Sequence, residues 1–379
     1  MGIYLDNSAT TRPCEQAVEA MMHAMREDFY NPSALYAPAM VPEKMMKKCR
    51  EIILQSVHAP SGSRVVFVSG GTEADNLVIL GQQKKCRGKR ILYSAGEHPA
   101  VKEACQAMEG AEALLIPYTR DGLVDLQALE SLLDENVALI CVMQVNNETG
   151  AIQPLKEIGE MKRRLCPQAH FHVDGVQGYL RVAFDMKDTG ADSYALSGHK
   201  IHAPKGIGAL VMAPGVQLHA RQVGGGQESA IRSGTENTVG IAGLLAAIEA
   251  FPKAHDMQQV KMHLWQGLQE LIPGAKVNGP RPDSEQAAPH ILNVSLPPVR
   301  SETMLHALEG KKIYVGIGSA CSSHKQKVSA VLRAMHVEQP LAESALRFSF
   351  CPENTIEEMN TVLEAVKSQY SLLSRFQRR

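Results

Sequence analysis

Between residues 64 and 212 the chain alternates short apolar runs with stretches of helical spacing, and few architectures accept that rhythm. The runs lie at 65–68, 90–93, 113–116, 138–142, 170–173, 192–196 and 208–212, with helical stretches near 73–85, 98–108, 125–134 and 155–165. Such a pattern predicts an α/β fold with a mostly parallel, seven-stranded sheet covered on both faces. In a sheet of that kind, ligands bind outside the carboxyl ends of the strands. The residues that follow each run are therefore the ones to inspect.

Those residues are consistently polar. After 65–68 comes Ser69-Gly70-Gly71-Thr72-Glu73-Ala74, a glycine turn that opens a helix and offers free backbone N–H groups to an anion. It is neither a dinucleotide fingerprint nor a P-loop. Glu97-His98-Pro99, Asn146-Asn147-Glu148-Thr149-Gly150, Asp174 with Gln177, and Ser197-Gly198-His199-Lys200 follow later runs. Lysine forms a Schiff base readily once its pKa is lowered, and pyridoxal phosphate is the commonest aldehyde held this way. A carboxylate such as Asp174 is the expected partner of that cofactor's pyridinium nitrogen.

At about 100–200 residues per domain, a chain of 379 residues makes two or three units. The rhythm shifts near Pro252. A helix around 256–271, strands at 291–296 and 346–350, and helices around 302–309, 328–335 and 356–374 predict a smaller α+β domain. The boundaries expected are 15–252 for the large domain, and 1–14 with 253–379 for the small one. The 3–5 region should join the small sheet or pack near it. The helix over 15–26 carries Ala17, Met21, Met22 and Met25 on one side, which predicts a core-facing surface. The glycine-rich 223–237 segment reads as a surface loop.

A net charge of −1 gives no field that would draw the chain to nucleic acid or to an anionic membrane. No apolar run approaches a membrane span. Eight scattered cysteines with no C-x-x-C pair suggest a reducing, cytoplasmic setting and no metal site. Cys351, beside Pro352, reads as a packing residue.

Nine blocks, in order, carry a resemblance. They are Tyr4-Leu5-Asp6-Asn7-Ser8-Ala9-Thr10-Thr11, Ser69-Gly70-Gly71-Thr72-Glu73-Ala74-Asp75-Asn76, Glu97-His98, Val145-Asn146-Asn147-Glu148-Thr149-Gly150, His172-Val173-Asp174-Gly175-Val176-Gln177, Ser197-Gly198-His199-Lys200, Arg232-Ser233-Gly234-Thr235-Glu236-Asn237, Gly318-Ser319-Ala320-Cys321-Ser322-Ser323 and Leu346-Arg347-Phe348-Ser349. Through them the chain resembles the cysteine desulfurases of the fold-type-I, class V aminotransferase superfamily, from Tyr4 to about residue 365. The resemblance implies pyridoxal 5'-phosphate bound covalently to Lys200, with Asp174 at its ring nitrogen, Gln177 at its phenolate oxygen and His98 stacked on the ring. Gly71, Thr72, Ser197 and His199 would hold the phosphate, joined by Thr235 from the other subunit of a homodimer. Asn147 and Arg347 would grip the carboxylate of the substrate, L-cysteine.

By the same resemblance Cys321, in a small, polar loop at about 316–328, would take sulfur as a persulfide and leave L-alanine. A sulfur-acceptor protein would then receive it, for iron–sulfur cluster assembly, tRNA thiolation or cofactor sulfuration. Selenocysteine cleavage, another class V reaction or an inactive scaffold for sulfur-transfer partners are the competing readings. The chain departs from the family's usual residues at Asn7, Tyr30, Tyr36 and Ile317.

Overall fold

The computed structural model describes residues 2–318 and 328–375; Cys321 lies outside the described residues. The N-terminal strand is β1 (Ile3–Leu5). Seven strands follow: β2 (Arg64–Val68), β3 (Arg90–Ser94), β4 (Glu112–Ile116), β5 (Val137–Met143), β6 (His170–Asp174), β7 (Ser193–Ser197) and β8 (Gly208–Met212). They form one sheet in the order β2-β8-β7-β6-β5-β3-β4. Pairings from β4 through β7 are parallel, whereas β8 runs antiparallel to both β7 and β2. The α/β expectation holds. Every residue of β5 to β8 is buried, because helices cover both faces and leave no solvated side to alternate with.

A second group of strands, β9 (Lys276–Val277), β10 (Ile291–Ser295), β11 (Ile313–Val315) and β12 (Ala345–Ser349), lies beyond the large sheet. β12, β10 and β9 make an antiparallel sheet. β1 does not join it but pairs in parallel with β11, a strand too short to show periodicity. Single bridges from Asp6 to Ser349 and from Gly316 to Arg347 then tie this pair to β12. The core of this region, with Leu5, Trp265, Val294, Phe348 and Val362, is separate from the large core around Ile140, Phe171, Tyr194 and Leu244.

The methionine face is a correction. In the helix Glu15–Arg26 it is Ala17 and Ala24 that are buried, while Met22 and Met25 are 41% and 53% exposed. Small side chains there allow close approach to the helix Thr238–Ala250, where a Cβ on Gly243 would stand 2.8 Å from Met21 Cγ. That approach keeps Met21 half-buried against Gly243 and turns Met22 and Met25 outward. The 223–237 segment is largely exposed, as expected, but Glu228 is buried in it and accepts from Arg50 Nη2 (2.7 Å) and Phe67 N (3.0 Å).

Candidate active site

The glycine turn after β2 leads into a helix, Gly71–Gly81, whose first residues leave N–H groups without intrahelical partners. Its start is fixed from two sides. Glu73 accepts from Ser69 N (2.6 Å) and from Arg232 Nε (2.8 Å), which pins the 223–237 segment beside the helix terminus. A Cβ on Gly71 would meet Val176 Cγ2 at 2.5 Å, and one on Gly70 would stand 3.6 Å from Ser197 Oγ. Gly71, Thr72 and Ser197 therefore converge on one cradle of backbone donors and a hydroxyl, suited to a phosphate. Nearby, His199 Nδ1 is 3.1 Å from Thr10 Oγ1, and burial pushes its imidazole down to about 4, neutral at physiological pH. Thr235 is exposed and lines a separate hollow with Ser69, Gly206 and Asn237.

Lys200 ends the short turn Gly198–Lys200 after β7. Its amine donates to two backbone carbonyls of the N-terminal segment, Ser8 and, at 2.8 Å, Ala9. Burial, together with the cations Arg347 and Arg181, lowers its pKa to about 7 despite the opposing pull of Asp6 and Asp174. The amine is thus available in its nucleophilic form near neutral pH. The segment that supplies its acceptors is stitched in place: Asn7 Nδ2 donates to Ser349 O (2.9 Å), and Ser8 N donates to Ser349 Oγ (2.9 Å). Asn7, one of the four departures, is a buried strut. Of the others, Tyr30 stacks on Phe29 (4.5 Å) with its edge toward Tyr36 (6.0 Å), and Ile317 packs on the small core.

Asp174 ends β6 and is buried, with Oδ1 accepting from Val176 N (2.9 Å). Burial raises its pKa, while His98 and Lys200 act against that rise. His98 caps the helix Pro99–Gln106, where Nδ1 accepts from Ala100 N (3.1 Å). A neutral His98 must therefore carry its proton on Nε2. Burial lowers its pKa, opposed by Asp174 and assisted by Lys200, so these three groups feel one another. Gln177 uses one amide N–H on Ser8 O (2.9 Å) and accepts from Arg181 Nη1 (3.4 Å).

Arg347 lies on β12 with Nη1 on Asn147 O (2.9 Å) and Nη2 on Asp6 Oδ1 (2.7 Å), while its buried Nε has no partner among the described residues. The structure therefore brings Asn147 and Arg347 together. Asn146 is structural: Oδ1 accepts from Glu148 N and Thr149 N, and Nδ2 donates to Gly96 O. Glu148 accepts from Ser329 Oγ, and a Cβ on Gly318 would lie 3.7 Å from Glu148 Oε2. Both flanks of the 319–327 segment thus meet the same residue, next to Asn147.

Beneath Asp174 is a network that reading the chain in order missed. His172 Nε2 lies 3.1 Å from Asp75 Oδ1, and Ser193 Oγ bridges His172 Nδ1 (2.8 Å) and His170 Nε2 (2.7 Å). Alternation along β6 puts His170, His172 and Asp174 on one face. The partner Asp75 comes from a helix about 100 positions earlier, which periodicity does not reveal.

These residues supply an amine of lowered pKa, a buried carboxylate, an imidazole and an anion cradle, the set that a phosphorylated aromatic aldehyde requires. A model of the aminotransferase class-V family matches residues 3–362. The cysteine desulfurase IscS of Clostridium botulinum is 35% identical over 375 residues, covering 96% of this chain and 93% of its own. Among solved structures, a NifS-like protein superposes with a TM-score of 0.88 at 32% identity, over 98% of this chain and 100% of that one. SspA in complex with cysteine gives a TM-score of 0.82 at 29% identity, over 93% and 100% respectively.

Proposed function

This chain belongs to the class-V aminotransferase family and is a homologue of the cysteine desulfurases, and on that premise we propose that it removes sulfur from L-cysteine with pyridoxal 5'-phosphate as cofactor. The observation that carries the reading is Lys200, half-buried, with its pKa lowered to about 7 and its amine within reach of Ser8 and Ala9 carbonyls. The cofactor would supply the electron sink for the substrate's Cα.

The chain's own residues do the rest. The N-terminus of the helix Gly71–Gly81, with Thr72, Ser197 and His199, would hold the phosphate, and Asp174 would pair with the ring nitrogen. His98 would stack on the ring and, with Lys200, would move the Cα proton, while Gln177 would donate to the phenolate oxygen. Arg347, joined to Asn147, presents its fork to the substrate carboxylate. Cys321 is three residues beyond Gly318 in the sequence. Its thiolate attacks the substrate sulfur; the S–S bond forms as the carbon–sulfur bond breaks, and the electron pair left on carbon takes a proton to give L-alanine. The persulfide sulfur then passes to an acceptor protein.

The active form is a homodimer in which Thr235 completes the partner's phosphate cradle. Its exposure, and that of Met25, Phe29 and Leu35, supports this reading. The decisive experiment is Cys321→Ser. This variant is expected to keep the cofactor's visible absorbance while losing alanine and sulfide production; undiminished turnover would refute the assignment.

A further inference from the structure

Behind the Lys200 turn, three side chains with no part in the proposed reaction meet at the junction between the large sheet and β12. They are His202, Cys351 and Glu353, whose ligand atoms all lie within 4.8 Å of one another. His202 is held in an unusual backbone conformation for a non-glycine residue, with φ of 64°. Its N–H donates to Thr11 Oγ1 (2.8 Å), and its carbonyl accepts from Cys14 N (2.9 Å), so the strained turn is fixed from both sides. The imidazole is oriented as well, because Nδ1 lies 2.9 Å from Arg12 O.

That contact fixes the tautomer. A carbonyl only accepts, so Nδ1 carries the proton and Nε2 presents a lone pair, the arrangement found in metal-ligating histidines. The residue is 8% exposed, and Nε2 is buried without a hydrogen-bond partner among the described residues. It faces Glu353 Oε2 at 3.9 Å, too far for a hydrogen bond. An orphaned buried acceptor aimed at a carboxylate and a thiol has no reason to be there for packing alone.

We propose that His202, Cys351 and Glu353 form a binding site for a thiophilic divalent cation of the zinc type, clamping the Lys200 turn to the segment after β12. The nitrogen, sulfur and carboxylate donors suit Zn²⁺ rather than Mg²⁺ or Ca²⁺, which prefer all-oxygen sets. Tetrahedral Zn²⁺ places its ligand atoms about 3.3–3.8 Å apart, so the observed spacing needs only a small closing movement. Glu353, 67% exposed in its side chain, is free to move toward the ion and leaves a path for it to enter.

Binding displaces the thiol proton to solvent and forms the metal–sulfur bond with no change of oxidation state. Burial and the adjacent Glu353 push that thiol up to about 12 in the absence of a cation, whereas the nearby Arg181 favours the thiolate.

The test uses the purified holoenzyme, treated with a chelator and then titrated with Zn²⁺ alone by equilibrium dialysis and metal analysis. One Zn²⁺ per chain is expected in the wild type and in Cys321→Ser, whereas Cys351→Ser and Glu353→Gln should each weaken binding by about tenfold or more. Co²⁺ in place of Zn²⁺ should give a sulfur-to-metal charge-transfer band that Cys321→Ser keeps and Cys351→Ser loses. Absence of stoichiometric Zn²⁺ in the wild type, or an affinity that Cys351→Ser leaves unchanged, would overturn the proposal. Should Cys351→Ser fail to fold, unchanged affinity in Glu353→Gln, altered only at an exposed side chain, overturns it equally.

Discussion

Arg347 Nη2 lies 2.7 Å from Asp6 Oδ1, joining β12 to the segment after β1 across 341 positions of sequence. The arginine side chain is 3% exposed and the aspartate 24%, so the guanidinium is a nearly buried charge whose direction is set by its partner. Replacing Arg347 by lysine keeps the charge but loses the planar fork. KM for cysteine should then rise by about tenfold or more. Asp6→Asn keeps the acceptor but leaves the guanidinium without its counter-charge. It should cost about 2 kcal/mol of stability, less than a fully buried pair would, and raise KM with kcat little changed. Steady-state alanine formation and thermal melts check both; a fall in KM for Asp6→Asn would mean that Asp6 competes with the substrate instead of aiming Arg347.

Lys200 leads to a pH prediction. Its pKa is lowered from 10.5 to about 7 by burial and by Arg347 and Arg181, so the neutral amine accumulates as pH rises through about 7. Covalent capture of pyridoxal phosphate by the cofactor-free chain should accelerate across that point and then level off. An ordinary lysine would keep accelerating toward 10.5. Stopped-flow absorbance measures the rate, and Lys200→Ala should bind the cofactor without the covalent spectral change.

Glu97 makes a linkage prediction of the opposite kind. Burial raises its pKa from 4.5 to about 8, against the bonds it accepts from Ser94 Oγ and Met143 N, and Oε2 is buried without a partner among the described residues. The folded state therefore holds a proton that the unfolded chain has released. This stabilisation is fully present below pH 4.5 and is lost as pH rises through about 8. Glu97→Gln keeps the Oε1 acceptor and cannot ionise. Relative to wild type, its melting temperature should climb steadily across that window, and a constant difference would count against a protonated Glu97.

The seven-stranded sheet and the polar strand ends were legible because parallel strands are continuous apolar runs whose carboxyl ends must carry any site. What was not legible depends on distant partners. β11 is three residues long, with no alternation to read, and exists because β1 pairs with it. The outward turn of Met22 and Met25 follows from close approach at Ala17 and Gly243, which the helical spacing of the methionines alone does not encode. Nothing in the sequence around His202 marks it, and only the fold brings Cys351 and Glu353 to its unpartnered nitrogen.

The cradle at Gly71 is testable by crowding it. A Cβ there would stand 2.5 Å from Val176 Cγ2, inside any van der Waals contact. Gly71→Ala must push the helix start or Val176 aside, and an overpacking cost of about 1–3 kcal/mol falls on the residues that hold the phosphate. Cofactor affinity should drop by about tenfold. Adding Val176→Ala removes the clash and should restore most of the loss, as fluorescence titration with pyridoxal phosphate would show. A double variant no better than Gly71→Ala would mean that the backbone itself, not Val176, sets the cradle.

The outward-facing apolar side chains near the N-terminus make the last prediction. Met22, Met25, Phe29, Leu35 and Tyr36 are all exposed, Leu35 completely, within 15 residues of sequence. Large exposed apolar side chains gathered in so short a stretch call for a covering partner, and a second copy of the chain is the partner that would also bring Thr235 to a neighbouring cradle. The chain should therefore sediment at twice 41.3 kDa. Met25→Asp with Leu35→Asp places two charges on that surface, where burial without partners is costly, and should shift the equilibrium toward monomer. Because both side chains are exposed, the monomer should keep its fold by circular dichroism while cofactor affinity falls, as loss of a partner's Thr235 requires. Dissociation with unchanged cofactor affinity would remove Thr235 from the cradle, and an undisturbed dimer would place the contact elsewhere.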